Sequence, residues 1–469
     1  MIFDRPRALI CAAVFYLAAW GGCGARAAEV YPGCAVPPTT FNHIWYVDPV
    51  NGKTPDAGGN GSQAAPWNSL NAIVSSTIEP GYTRPLLSSI PYLHREPLPG
   101  TTQRLYADET GAVVQPGDEI LLMSGQYGDV SIGTDGVRAP NSAFVTIAAA
   151  PGQTPVLSTL AVAAASYFLF SGIKVQNIAD GTHRSVYRSL VAVDDEGSAL
   201  PSSNIVFTNM LVTSAGDTAG WTQPQWLARV HIVGIYVHGS DHGANTTCVS
   251  VTNSHISNVM FGVGVMANNM LLSGNEIDHF GDDGVDYAAS NILMTKNYIH
   301  DDLNLGNGAH MDGMQGYPGP STNVVIDNNL IIRQTEPNLP FPSYLQGIDA
   351  FDGDWTNLTV TNNVVVTSSC WGIGFASVHG GKIVNNAVLD DGSDTGTKNP
   401  TGHIMCHPGI GVGRKTHDGS SSNNVMIRNN IAIGIGLYNV DRKMTIDHNI
   451  CLASTGPRIA RPPACGPSQ

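Results

Sequence analysis

The chain has 469 residues, with 23 Lys+Arg against 37 Asp+Glu, a formal net charge of −14 and only 13% charged residues. That balance argues against nucleic acid or an anionic membrane surface as partner, and an anionic substrate would need a local cation or basic cluster. No apolar run beyond the N-terminal leader is long enough to cross a bilayer, so no membrane insertion and a monomer are expected.

Residues 1–27 read as a secretory signal. Arg5 and Arg7 form the basic region, Ala8 to Trp20 the apolar one, and Ala25-Arg26-Ala27 the cleavage site. The expected location is secreted or periplasmic, with 28–469 folding as one domain. In an exported chain the cysteines are free to form disulfides. Cys370 with Cys406 and Cys451 with Cys465 are the expected pairs. No Cys-x-x-Cys spacing is present to hold structural zinc.

From about 115 to 455 one phrase recurs, followed by a tail at 456–469. Its clearest copies are NMLLSGNEI (269–277), NILMTKNYI (291–299), NVVIDNNLI (323–331), NLTVTNNVV (357–365) and NVMIRNNIA (424–432). Two short β-branched runs flank a polar turn, with no helical period. A coil of about 22 residues, lengthened by insertions, is the signature of a parallel β-solenoid. The last Asn of each turn aligns as Asn275, Asn297, Asn329, Asn363, Asn386, Asn430 and Asn449. Asn tolerates a left-handed turn and can bond its equivalents above and below, so these residues are expected to form a structural ladder. Lys296 sits in one of these turns and is expected to be structural.

A third strand follows each turn, as in DGVDYA (283–288), DGMQGY (312–317) and QGIDAF (346–351). By strand alternation the residue after Gly points inward and the next points outward. The outward column then reads Tyr236, Gly264, Asp286, Gln315, Asp349, Gly374 and Gly411. The column before Gly reads Val233, Phe261, Asp283, Asp312, Gln346, Trp371 and Pro408. Rung spacing puts Asp286 and Asp349 about 10 Å apart with Gln315 between. Insertions at 213–230, 301–310, 333–345 and 390–406 precede this strand and are expected to wall a groove over it. Trp221, Trp226, Phe341 and Tyr344 lie in them, either as sugar-stacking rings or as buried loop anchors.

Taken together, WYVDPVNG…GSQAAPWNSLNAI (45–73), QPGDEILLMSGQYGDVSI (115–132) and the repeats resemble right-handed parallel β-helix proteins of the pectate-lyase type. The resemblance covers about 44–455. It implies an all-β, single-stranded right-handed parallel β-helix with an Asn ladder and an N-terminal helical cap beginning near Pro66. GDDGVD (281–286) is similar to the calcium site of family 9 pectate lyases, which implies Asp282, Asp283 and Asp286 as Ca²⁺ ligands. Where that family has its base Lys, this chain has Gln315. The further family Asp, one rung earlier, would fall near Val259–Phe261 and is absent; Asp312 stands on the opposite side as a substitute ligand. GDD also resembles the paired acids of polygalacturonases, without their Asn-Thr-Asp and Gly-His-Gly. QGIDAFD (346–352) resembles the mannuronan epimerase motif, with Phe351 in place of its His.

β-Elimination on a uronate needs a neutralised carboxylate, a base for the C5 proton and an acid for the leaving oxygen. A hard cation held by Asp282, Asp283, Asp286 and Asp312 answers the first need. His310, two residues before Asp312, is the expected base, with Arg333 as an alternative base or a uronate clamp. Gln315, Tyr236 and Tyr317 face the groove as substrate contacts, and Tyr287 points inward. The reading is a Ca²⁺-assisted lyase acting on an acidic polysaccharide. Two alternatives use the same surface: a hydrolase with Asp283 and Asp312, or Asp286 and Asp349, as acid and base, and a non-catalytic glycan-binding solenoid.

Overall fold

The computed structural model describes residues 28–75, 79–84, 86–88, 92–96, 104–108, 112–133, 139–176, 189–194, 201–230, 232–239, 246–393, 407–415, 418–438, 440 and 443–452. The signal segment, most of the 390–406 insertion, Cys406, Cys465 and the tail lie outside these residues.

The described chain is a right-handed parallel β-helix, built from short strands stacked in sequence order on three faces. The first face runs from Ile44–Val47 and Glu119–Leu122 to Thr445–Asp447. The second includes His255–Val259, Glu276–Phe280, Tyr298–His300 and Leu330–Ile332. The third includes Val233–Val237, Phe261–Val265, Val285–Tyr287, Asp312–Gly316, Gln346–Ala350, Trp371–Ala376 and Gly409–Gly413. Inward residues of all three faces form one continuous apolar core, including the stacked Phe168, Phe170 and Phe207.

The coils start earlier than the repeat suggests. Ile44–Val47 already pairs in parallel with Glu119–Leu122, although a long insertion separates them. The helical cap is a single turn, Asn71–Val74, whose Ala72, Ile73 and Val74 are buried at the end of the core.

The Asn ladder is continuous. Asn275 Nδ2 donates to Asn297 Oδ1 at 3.0 Å, and the same bond recurs from Asn297 to Asn329, Asn363, Asn386, Asn430 and Asn449. Each Oδ1 also accepts the backbone N–H of the ladder residue before it, so the turns leave no buried amide unpaired. One expectation changes: the left-handed residue is the one before the ladder Asn. Lys296, Asn328, Asn362, Asn385 and Asn429 carry the positive φ. Conformation and hydrogen bonding are divided between two adjacent residues.

Cys34 and Cys248 form a disulfide across 214 residues, a pairing the sequence reading did not anticipate. It fixes the N-terminal segment along the outside of the first face, where Ala28, Val30 and Ala35 cover Phe144, Leu169 and Val206. Cys370 and Cys451 are also disulfide-bonded.

Candidate active site

The third face holds the expected register. Tyr236 pairs with Gly264, Gly264 with Asp286, Asp286 with Gln315, Gln315 with Asp349, and Asp349 with Gly374. Alternation therefore brings the acids of three rungs together. It does not leave them all in solvent. Asp283, Asp312 and Asp349 are buried, at 3%, 0% and 2% exposure, while Asp282 and Asp286 are partly exposed.

The insertions fold inward beside these rungs. Asp302, fully buried, accepts the Tyr344 N–H at 2.8 Å and the Ser343 hydroxyl, tying 301–310 to 333–345. Trp226, Met260, Leu303 and Leu305 form a small separate core with Trp221 and Phe341 packed against it. Trp226 and Tyr344 are buried, so these aromatics are loop anchors and not sugar platforms.

His310 stands at the mouth of the cluster with its side chain 51% exposed. Its Nδ1 meets Asp312 Oδ2 at 2.9 Å, and Gln315 Nε2 donates to the same oxygen at 2.9 Å. The Asp312 backbone N–H donates to Asp283 Oδ1 at 3.0 Å. One donor atom each from Asp283, His310 and Asp312 falls within 4.8 Å of the others. Oδ1 of Asp286, Asp312 and Asp349 is buried and accepts no hydrogen bond from a protein N–H or O–H.

Such crowding makes ionisation costly. Burial pushes Asp282 up to about 6. Burial, then the Asp282 charge, pushes Asp286 up to about 7. Asp312 rises to about 8, chiefly by burial. Burial and the Asp312 charge raise Asp283 and Asp349 well above the carboxylate range. The interaction between the neighbouring Asp312 and Asp349 side chains lowers the first and raises the second, so the pair favours holding one proton.

Arg333 does not join this cluster. Its Nε is bonded to Asp391, and Nη1 donates to Ser343 O at 3.1 Å, with the side chain 12% exposed. This corrects the expected roles as base and uronate clamp: the guanidinium is already spent on a carboxylate and the loop backbone. Tyr317 is exposed and Tyr236 partly exposed on the groove side. Tyr287 points inward, its hydroxyl donating to Asp349 O at 3.2 Å.

The sequence reading missed what lies on the outward glycines. A Cβ on Gly264 would stand 2.4 Å from the Tyr236 ring, one on Gly374 2.6 Å from the Phe351 ring, and one on Gly411 2.9 Å from Trp371. Phe351 and Trp371 are 5.0 Å apart, and Tyr438 continues the row. Aromatic rings thus lie over the sheet on both sides of the acids. The signal was the glycine column itself, since only glycine leaves room for a ring lying against the backbone.

A family model for the right handed beta helix region matches residues 200–389. Among solved structures the chain is similar to the pectate lyase Pel9A, at 14% identity over 90% of this chain and 80% of that one, with a TM-score of 0.38. It is similar to the GH136 lacto-N-biosidase from Eubacterium ramulus, at 12% identity over 88% and 68% of the two chains, TM-score 0.39. A rhamnogalacturonan lyase matches at 12% identity over 87% of each chain, TM-score 0.38. No curated protein matches the sequence.

Proposed function

We propose that the chain is an exported polysaccharide lyase acting on a uronate-containing glycan laid along the third face. The observation that carries this reading is the bond between His310 Nδ1 and Asp312 Oδ2. It orients a half-exposed imidazole at the mouth of the acid cluster and leaves Nε2 without a protein partner among the described residues. Asp312 accepts from Nδ1–H and stabilises the imidazolium that forms, while Gln315 holds the carboxylate in place. His310 Nε2 takes the C5 proton and, as imidazolium, returns it to the leaving oxygen on the same side. Two of the carboxylate oxygens without a protein donor, on Asp286 and Asp312, belong to the set Asp282, Asp283, Asp286 and Asp312 that would hold a hard, oxygen-liganded cation of the Ca²⁺ kind. When bound, such an ion neutralises the uronate carboxylate and makes its C5 proton more acidic. The described disulfides are in keeping with an oxidising location outside the cytoplasm.

A hydrolase reading has one specific observation behind it. Asp286 keeps its proton to about pH 7 and lies two rungs, about 10 Å, from Asp349, near the separation an inverting enzyme needs for water. Incubating the protein with pectate, alginate and glucuronan separates the two readings. Ultraviolet absorbance of an unsaturated uronate that disappears in His310→Gln supports the lyase. New reducing ends without unsaturation overturn it in favour of hydrolysis, and no cleavage of any glycan overturns both.

A further inference from the structure

The second face carries a polar constellation that the groove does not use. In its register His255 pairs with Glu276 and Glu276 with Tyr298, while Ser257 pairs with Asp278 and Asp278 with His300. Residues two apart on a strand share a side. Glu276 and Asp278 therefore sit together on the middle rung, with His255 diagonally before them and His300 diagonally after. His255 Nε2 is 2.5 Å from Asp278 Oδ2, and His300 Nε2 is 3.3 Å from Glu276 Oε1. Donor atoms of Glu276, Asp278 and His300 all lie within 4.8 Å of one another.

A second layer holds these side chains in place. His300 Nδ1 is 2.6 Å from Asp301 Oδ2, and the His300 ring stacks on Tyr298 at 4.0 Å. Asp301 is fully buried and accepts the backbone N–H groups of Thr335 at 2.7 Å and Glu336 at 3.1 Å. The other oxygen of Asp278 is held by His279 Nδ1 at 2.6 Å. Nδ1 of His300 faces Asp301 and Nε2 faces Glu276, so the ring lies between two carboxylates, and its Nε2 can meet Glu276 Oε1 through a proton or through a metal cation.

We propose that His255, Glu276, Asp278 and His300 form a second metal site, for a divalent transition cation of the Zn²⁺ class. Glu276, Asp278 and His300 bring three donors within reach of one ion, and His255, on Asp278, is the fourth that a tetrahedral Zn²⁺ would recruit; hard cations such as Ca²⁺ take oxygen donors almost alone. A buried carboxylate behind a ligating imidazole is the outer-shell support such sites use. The bound ion would bridge three successive rungs of the second face. Through Asp301 it would also brace residues 335–336, at the root of the 333–345 groove wall.

The test uses the full exported chain, stripped with chelator, dialysed against micromolar Zn²⁺ and analysed for metal, with Co²⁺ as a spectroscopic probe. The expected result is one tightly held Zn²⁺, a tetrahedral Co²⁺ spectrum and a raised melting temperature. His255→Gln and Glu276→Gln, both at partly exposed side chains, should each weaken Zn²⁺ binding by at least about tenfold. Asp283→Asn in the groove should leave it unchanged. Circular dichroism confirms that each variant is folded. Failure to retain Zn²⁺ would mean a proton-held ion-pair network only and overturns the proposal. Retention in a folded His255→Gln, Glu276→Gln double variant, or loss in Asp283→Asn, overturns it as well.

Discussion

Replacing Asp286 by Asn should stabilise the metal-free protein, and by an amount that depends on pH. Burial and the neighbouring Asp282 charge move the Asp286 carboxyl from an ordinary value of 3.8 to about 7. A group whose pKa is raised on folding contributes stability that is complete below its unfolded pKa and lost as pH rises through its folded one. For Asp286 the loss therefore runs from about pH 4 to pH 8. Three pKa units correspond to about 4 kcal/mol of lost stability at pH 8, and to less than about 1 kcal/mol at pH 4. Asn has the same shape and no charge, so Asp286→Asn should recover up to about 4 kcal/mol at pH 8 and almost nothing at pH 4. Urea unfolding in chelator at both pH values measures this directly. Adding Ca²⁺ should reverse the ranking, because the wild type gains a ligand and the variant lacks one of its donors. Equal stability of the two proteins at pH 8 in chelator would refute the premise that the cluster is held at an electrostatic cost. A Ca²⁺ gain of the same size in both would remove Asp286 from the ligand set.

Other substitutions probe separate parts of the molecule. His310→Gln should lower turnover by about 10²–10⁴-fold with a smaller change in KM, read in the steady-state rate on whichever uronate polymer is cleaved. Trp371→Ala should raise KM for long chains more than for short oligomers, since the ring lies beyond the acid rungs. Asn329→Ala removes bonds to Asn297 N, Asn297 Nδ2, Met294 O and Asn363 Oδ1. Asn297 Nδ2 keeps Leu272 O and Asn363 Oδ1 keeps the Asn329 N–H, so two groups, Asn297 N and Met294 O, lose a bond; at about 1–3 kcal/mol for each, the variant should cost about 2–6 kcal/mol in urea unfolding. Cys34→Ser with Cys248→Ser should cost about 2–5 kcal/mol and increase protease cleavage near the N-terminus, with the groove intact.

The alignment of the third face was legible because two signals agree there: period-two alternation and a Gly at a constant place in every strand. Those fix which side chains share a column, and the pairing of Asp286, Gln315 and Asp349 is their consequence. Burial was not legible from the repeat. It depends on insertions that follow no period, and on contacts such as Asp302 with Ser343 and Tyr344, far apart in sequence. Arg333 illustrates the same limit: its partner is Asp391, two coils on. The second-face constellation was within reach. Glu276 and Asp278 occupy the first and third places after ladder Asn275, and His300 the third place after Asn297. Their columns align as securely as those of the groove. The signal is fainter because His255, Glu276, Asp278 and His300 are spread over three coils, and the acidic pair beside them, Asp301-Asp302, reads as the start of an insertion.

Stacking identical residues on successive rungs has opposite consequences for an amide and a carboxylate. An Asn side chain both donates and accepts, so a column of Asn closes on itself, as Asn275 to Asn449 do. An ionised Asp only accepts, so neighbouring carboxylates leave oxygens unmatched and charges unrelieved, as at Asp286, Asp312 and Asp349. Such a cluster, spread over two adjacent columns, closes with protons or with a cation, and the surrounding ladder and core must carry the cost when it has neither. Asp349→Asn tests this at a buried position. Its new amide can donate to Asp312, so Asp312 should ionise more readily and stability at pH 8 in chelator should rise while cleavage falls. A variant less stable than wild type under those conditions would mean that the proton shared by Asp312 and Asp349, and not relief of charge, is what holds these rungs together.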